Sequence, residues 1–325
     1  MRTELVSSCY NLLLKIYVIG FKNMGESILI LFLDTKESNK VVFSLLIDCY
    51  KAYGLNVVEE ILNEYNLGRD NQPINVICWS HPHMDHSKGL YDVIWKYSSP
   101  KTKIIIPFGI DGAFYQLKDL TKTEKQNLKK INELIPRYNY RLAHHSADIK
   151  YKRELEMFKV EGHDGTNVKV RIYTIAPHDE FLYNKIQKNE FLDTNDFSLV
   201  TYMEVGAYKF LLTGDAKNDT IDNFPDECVD GLNFIKIPHH TSTTSNHMLK
   251  YMDINNKTLG CTTSYKGNGI LPDFDLLDIY KEKCAQVNCT GLSKGKYKYG
   301  YIEYTFDLWN NSEVRIKNHG NAFVV

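Results

Sequence analysis

The run His81-Pro82-His83-Met84-Asp85-His86 sets three imidazoles and a carboxylate within six positions. All four side chains bind divalent cations, and imidazole with one carboxylate suits zinc, manganese or iron better than calcium or magnesium. In extended backbone, residues two apart project to the same side, so His81 and His83 can grip one ion. Asp85 and His86 fall past the bend and suit a second ion close by. A chance histidine cluster or a purely structural metal is the competing reading, but structural zinc sites are usually cysteine-rich and closed. Two later segments offer more donors. Phe210-Leu211-Leu212-Thr213-Gly214-Asp215 ends an apolar run in a glycine turn that presents a carboxylate able to bridge two cations. Ile235-Lys236-Ile237-Pro238-His239-His240-Thr241-Ser242 ends another in two imidazoles. Either His239 or His240 can be a ligand; the other then sits beside the site as leaving-group acid or phosphate donor.

The elements that would carry these residues follow from hydrophobic periodicity. Ile74 to Trp79 reads as a buried strand feeding the first cluster, and Leu90, Val93, Ile94 and Tyr97 repeat at helical spacing behind it. Lys15 to Leu33 reads as two strands joined by a turn at Lys22-Asn23-Met24-Gly25, and Val41 to Ile47 as a third ending at Asp48. Leu55 to Tyr65 and Thr121 to Ile135 read as amphipathic helices, 136 to 153 as loop, and Val168 to Ala176 as a strand. Phe197 to Val205 and Tyr208 to Thr213 form a hairpin about Gly206-Ala207. Asn233 to Ile237 reads as a buried strand, Leu276 to Cys284 as a helix, and Tyr301 to Phe306 and Val314 to Ile316 as closing strands. Strands, then helices, then strands again predict a sandwich of mixed sheets with helices outside.

The histidine run resembles the signature of the metallo-β-lactamase fold. That resemblance implies α/β architecture, a four-layer αββα sandwich, here one domain over 1–325 with a helical insertion around 108–165. It implies one or two metals at one edge of the sheets, with Asp215 matching the fold's bridging aspartate, and a hydrolase, but not a substrate. It also implies that Asp48, ending the third strand, steadies a ligand imidazole; capping a turn is its other reading. Pro238-His239-His240-Thr241-Ser242, Asn195-Asp196-Phe197-Ser198-Leu199-Val200, Gly20 to Ile30, and Ser264 to Asn268 with Pro272 resemble the ComEC-like competence nucleases and their soluble relatives. Thr241 stands where that branch has glycine, Lys88-Gly89 where it has Gly-Gly, and Leu271 where it has a histidine. The metal assignment is His81, His83 and Asp215 on one ion and Asp85, His86, Asp215 and His240 on the other, with Asp85 also counted as catalytic and His239 as catalytic neighbour. Ser242, Lys266 and Asn268 are candidate phosphate contacts, a helix cap and a solvated turn being their plainer roles. Lactamases and glyoxalases of the fold carry a further histidine in a Gly-His context. His163 lies too far from Asp215 to serve, and His178 reads as a surface histidine.

The expected activity is a metal-dependent phosphodiesterase, with DNA or RNA as candidate substrates. The alternatives are a small-molecule phosphodiesterase for a nucleotide messenger or phosphorylated headgroup, a lactone or thioester hydrolase, and a metal-binding interaction protein. A net charge of −1 and a pI near 6.8 give no global basic field for nucleic acid, although Lys294, Lys296, Tyr297, Lys298 and Tyr299 interleave cations with aromatics. Seven scattered cysteines without a C-x-x-C pair suit reduced thiols in a cytoplasmic protein. Lys15, Lys22 and Glu26 interrupt the first apolar stretch, so no membrane span is expected. A gating protein partner has no sequence signature here.

Overall fold

The computed structural model describes residues 6–9, 11–35, 40–108, 119–137, 140–162, 166–188, 192–252, 257–267, 269–292, 294–309 and 313–325. Leu12–Phe21 shows how the layers arise. Leu12, Leu14, Ile16 and Val18 face one core, and Leu13, Tyr17, Ile19 and Phe21 face another. A strand apolar on both sides of its pleat must be covered on both faces, so it belongs inside a layered stack.

Among the described residues, an eight-stranded sheet runs in spatial order Arg315–Gly320, Tyr299–Asp307, Leu12–Phe21, Ser27–Asp34, Lys40–Ile47, Val76–Cys78, Lys103–Pro107 and Arg141–His145. A nine-stranded sheet runs Val6–Cys9, Arg153–Gly162, Asn167–Ala176, Val200–Val205, Tyr208–Leu212, Phe234–Lys236, Leu259–Thr262, Gln286–Cys289 and Phe323–Val324. Their inner faces share one core, in which Phe32 and Phe43 meet Phe158, whose ring stacks on Phe43 at 4.3 Å between centroids. Helices Val57–Glu64, Leu90–Tyr97 and Lys122–Arg137 lay Val58, Ile61, Val93, Ile94, Leu128 and Ile131 on the far face of the first sheet. Helix Phe274–Lys283 lays Leu277 and Tyr280 on the far face of the second, against Ile235 and its neighbours. Helix, sheet, sheet, helix is the αββα order expected.

Most expected elements are present within a few residues of their predicted bounds, and Val205 pairs with Tyr208 across the Gly206-Ala207 hairpin turn. The stretch read as loop holds a strand instead. Arg141–His145 pairs in parallel with Lys103–Pro107 as the edge of the first sheet, and most of its side chains are partly or fully exposed, which erased the alternation. Within 108–165 the helical part is Lys122–Arg137, followed by strand Arg153–Gly162. Among the described residues no helix is long and apolar enough to cross a membrane. Cys49, Cys78, Cys228, Cys261, Cys284 and Cys289 are free and buried.

Candidate metal centre

Three strand ends deliver the donors to one edge. Val76–Cys78 leads through Trp79 and Ser80 into His81 and His83, and the short helix Met84–Ser87 then turns Asp85 and His86 back. Tyr208–Leu212 ends at Gly214, whose φ of 50° bends the chain so that Asp215 points inward. Phe234–Lys236 ends at Pro238, after which His239, His240 and Thr241 all take left-handed backbone, with φ of 48°, 51° and 63°. Three such residues in a row, none of them glycine, are strained, each at roughly 1–2 kcal/mol. The strain sends two adjacent imidazoles to different places. Backbone bonds tie the edge together, with Leu199 N donating to Ser80 O (3.0 Å), Glu26 N to Asp85 O (2.9 Å) and His239 N to Gly214 O (3.1 Å).

The donors form two groups. His81, His83 and Asp215 offer ligand atoms within 4.8 Å of one another. The second gathers His86, Asp215 and His240, and Asp85 Oδ2 joins it 3.6 Å from His86 Nε2 and 3.2 Å from His240 Nε2. Asp215 stands in both, its Oδ1 3.5 Å from His86 Nε2 and its Oδ2 3.6 Å from His240 Nε2 and 3.8 Å from His81 Nε2. Asp85 Oδ2, His86 Nε2, Asp215 Oδ1 and His240 Nε2 are buried and have no hydrogen-bond partner. Each such atom costs roughly 1–3 kcal/mol if left unsatisfied. Donors about 2.0–2.1 Å from a tetrahedral cation sit roughly 3.4 Å apart, which is the spacing found here. The set fits a divalent cation.

The opposite edges of the imidazoles are engaged. His86 Nδ1 lies 2.7 Å from Asp48 Oδ2, His240 Nδ1 lies 2.7 Å from Thr263 Oγ1, and His81 Nδ1 lies 2.9 Å from Ser80 Oγ, which itself donates to Asp48. Asp119 Oδ2 lies 3.7 Å from His83 Nε2. Such backing fixes the tautomer and ring angle of a ligand histidine. Burial pushes the Asp215 and Asp85 carboxyls up, but the surrounding imidazoles outweigh it and hold both well below the usual range. Burial pushes His86 down, and Asp215, Asp85 and Asp48 outweigh it, so its imidazolium persists well above the ordinary value. Burial and the neighbouring His86 and His83 keep His81 neutral, well below its ordinary value. A cation held by these carboxylates would displace the His86 proton.

Not every expected residue joins the cluster. His239 is half-buried, with Nδ1 2.9 Å from Thr244 Oγ1 and Nε2 3.9 Å from Asp215 Oδ2 and 3.5 Å from Asn195 Nδ2. Burial lowers its pKa. Ser242 Oγ accepts from Thr244 N (3.3 Å), the capping role. Lys266 is exposed beside Tyr265, and Asn268 lies outside the described residues, as does His163. His178 is fully buried rather than on the surface, packs 6.5 Å from Phe224, and is pushed down to about 4 by that burial. The sequence reading missed Glu26, Lys236 and Asp119. Glu26 falls in the second donor group, yet its Oε2 is held by Lys236 Nζ (2.7 Å) and Thr263 Oγ1 (2.8 Å), and it approaches His240 from the Nδ1 side at 3.8 Å. It backs His240 and does not face the cation position.

No family model matches the chain, and no curated protein sequence does. Among solved structures it is similar to the metallo-β-lactamase fold protein YhfI from Bacillus subtilis, at 12% identity and a TM-score of 0.45, over 85% of this chain and 95% of that one. It is also similar to Zn(2+)-bound PqqB from Methylobacterium extorquens, at 10% identity and a TM-score of 0.35, over 68% of this chain and 71% of that one.

Proposed function

We propose that the chain is a metal-dependent hydrolase acting on phosphodiesters. His81, His83 and Asp215 hold one divalent transition-metal ion, zinc or manganese, and Asp85, His86, Asp215 and His240 hold a second. The single observation that carries this is the convergence of four buried, unpartnered donor atoms from Asp85, His86, Asp215 and His240 at metal-ligand spacing. When bound, such a cation pair supplies an acidified water and a clamp for the oxygens of an in-line displacement.

The chain's own residues do the rest. Asp48 holds His86 in its ligand orientation, and Asp119 faces His83 Nε2 at 3.7 Å. His239 meets Thr244 Oγ1 through Nδ1 and turns Nε2 towards Asp215 and Asn195, where, once protonated, it would donate to a phosphate or leaving-group oxygen. His81, His83 and Asp215 would hold the first ion with three donors. The paired histidines and the Asn195 to Val200 segment support the phosphodiesterase branch that resembles the ComEC-like proteins. DNA, RNA and smaller nucleotide diesters are its substrate candidates.

The test is a screen of metal-reconstituted protein on bis(4-nitrophenyl) phosphate, a dinucleotide, nitrocefin and an acyl-glutathione thioester. Diester cleavage is expected. Turnover of nitrocefin or the thioester, with no diester cleaved in any metal, overturns the reading.

A further inference from the structure

A cavity of about 260 Å³ lies against the strand pair Tyr265–Lys266 and Ile270–Leu271. It shares walls with the donor cluster. The Tyr265 ring stacks on His240 at 5.2 Å between centroids and 19° between planes. On another side, Lys22 and Asn23 belong to the turn that ends at Glu26, whose N–H donates to the Asp85 carbonyl at 2.9 Å. Lys266 N closes the corner by donating to Asn23 O at 2.6 Å.

Two properties of the lining define what it takes. Its floor is apolar and aromatic, and it leaves Ile270 64% and Phe274 49% exposed, although neither is needed in any of the cores. Its rim carries Lys22, Lys266 and Lys294, none of which makes an ion pair among the described residues. In a chain of net charge −1, three unpaired cations around one aromatic hollow are a local feature. They suit a ligand that is flat and apolar at one end and anionic at the other. The size sets a limit as well: drug-sized ligands occupy roughly 300–1,000 Å³, so this hollow takes a single ring system.

We propose that this cavity is a substrate subsite that seats one nucleobase of a nucleotidyl phosphodiester, with the lysines facing its phosphate oxygens. The inference rests on the phosphodiesterase reading and names the group that lies next to the scissile phosphate. Aromatic stacking is tolerant of base identity, so purines and pyrimidines both bind.

The test uses two variants at exposed positions, Phe274→Ala and Lys266→Glu, in the metal-loaded protein. Calorimetric titration compares adenosine 5′-monophosphate with inorganic phosphate; the affinity ratio of the two should fall about tenfold in Phe274→Ala, whereas Lys266→Glu should weaken both about tenfold. Kinetics compare the 4-nitrophenyl ester of thymidine 5′-phosphate with methyl 4-nitrophenyl phosphate, which share one leaving group; the kcat/KM ratio should fall by a similar factor in Phe274→Ala. An unchanged ratio in Phe274→Ala, or unchanged binding in Lys266→Glu, overturns the subsite. Loss of the binding ratio in a protein that cleaves no diester supports the subsite and sinks the phosphodiesterase reading, so the two failures are distinguishable.

Discussion

Replacing Glu26 by glutamine tests whether an ion pair between the sheets supports the metal edge. Lys236 lies in Phe234–Lys236 of the nine-stranded sheet and Glu26 opens Ser27–Asp34 of the other, and both are at most 1% exposed. Lys236 Nζ has the Glu26 carboxylate at 2.7 Å and the Ile237 carbonyl at 2.9 Å, so the carboxylate is the charge that balances it among its described contacts. Glu26→Gln keeps the shape and removes that balance, and breaking one side of a buried pair costs about 3–5 kcal/mol. With unfolding entropy near 2.1 cal/mol/K per residue, a chain of 325 residues loses roughly 4–7 °C of melting temperature. The measurement is a thermal melt of metal-free protein, so that metal binding does not add to the stability. Adding Lys236→Met to Glu26→Gln removes the stranded charge and should recover about half the loss or more. A shift under about 1 °C, or a double variant no better than the single, refutes the argument.

Asp215→Asn should leave the fold intact by circular dichroism while lowering metal occupancy and cutting turnover at least about 100-fold, because Asp215 serves both groups; near wild-type turnover contradicts the assignment. His240→Ala should lose metal, whereas His239→Ala should keep it and slow diester cleavage about 100-fold; equal metal loss would make both histidines ligands. Thr241 holds a β-branched side chain at φ 63° and donates to Thr262 Oγ1 at 2.8 Å. Both Thr241→Gly and Thr241→Val lose the hydroxyl, but only glycine relieves the strain, so glycine should be more stable by about 1–2 kcal/mol in urea melts. Valine equal to or above glycine would refute the strain.

The first cluster of candidate donors was legible because it is contiguous in sequence: His81, His83, Asp85 and His86 need only the period of a strand and one bend to be sorted into two groups. His239 and His240 were not separable, since alternation predicts nothing across three left-handed residues, and only the folded turn sends one ring to Asp85 and the other to Thr244. Glu26 and Lys236 were visible too, each a charge at the border of an apolar strand, but their partnership crosses from one sheet to the other and no local pattern carries it. Arg141–His145 escaped because a half-exposed edge strand has little periodicity, and Leu259–Thr262 and Gln286–Cys289 because strands of four residues give too few repeats. The two-faced core of Leu12–Phe21 was the opposite case: apolar at nearly every position, it announced a layer on each side.

The central claim is that the edge of these sheets holds a pair of metal ions. The most direct test is elemental analysis of protein stripped of metal, reconstituted with zinc or manganese, and dialysed free of excess. The account predicts about two tightly held ions per chain, falling when Asp215 is changed to asparagine. A single ion, or none, with the fold intact contradicts it.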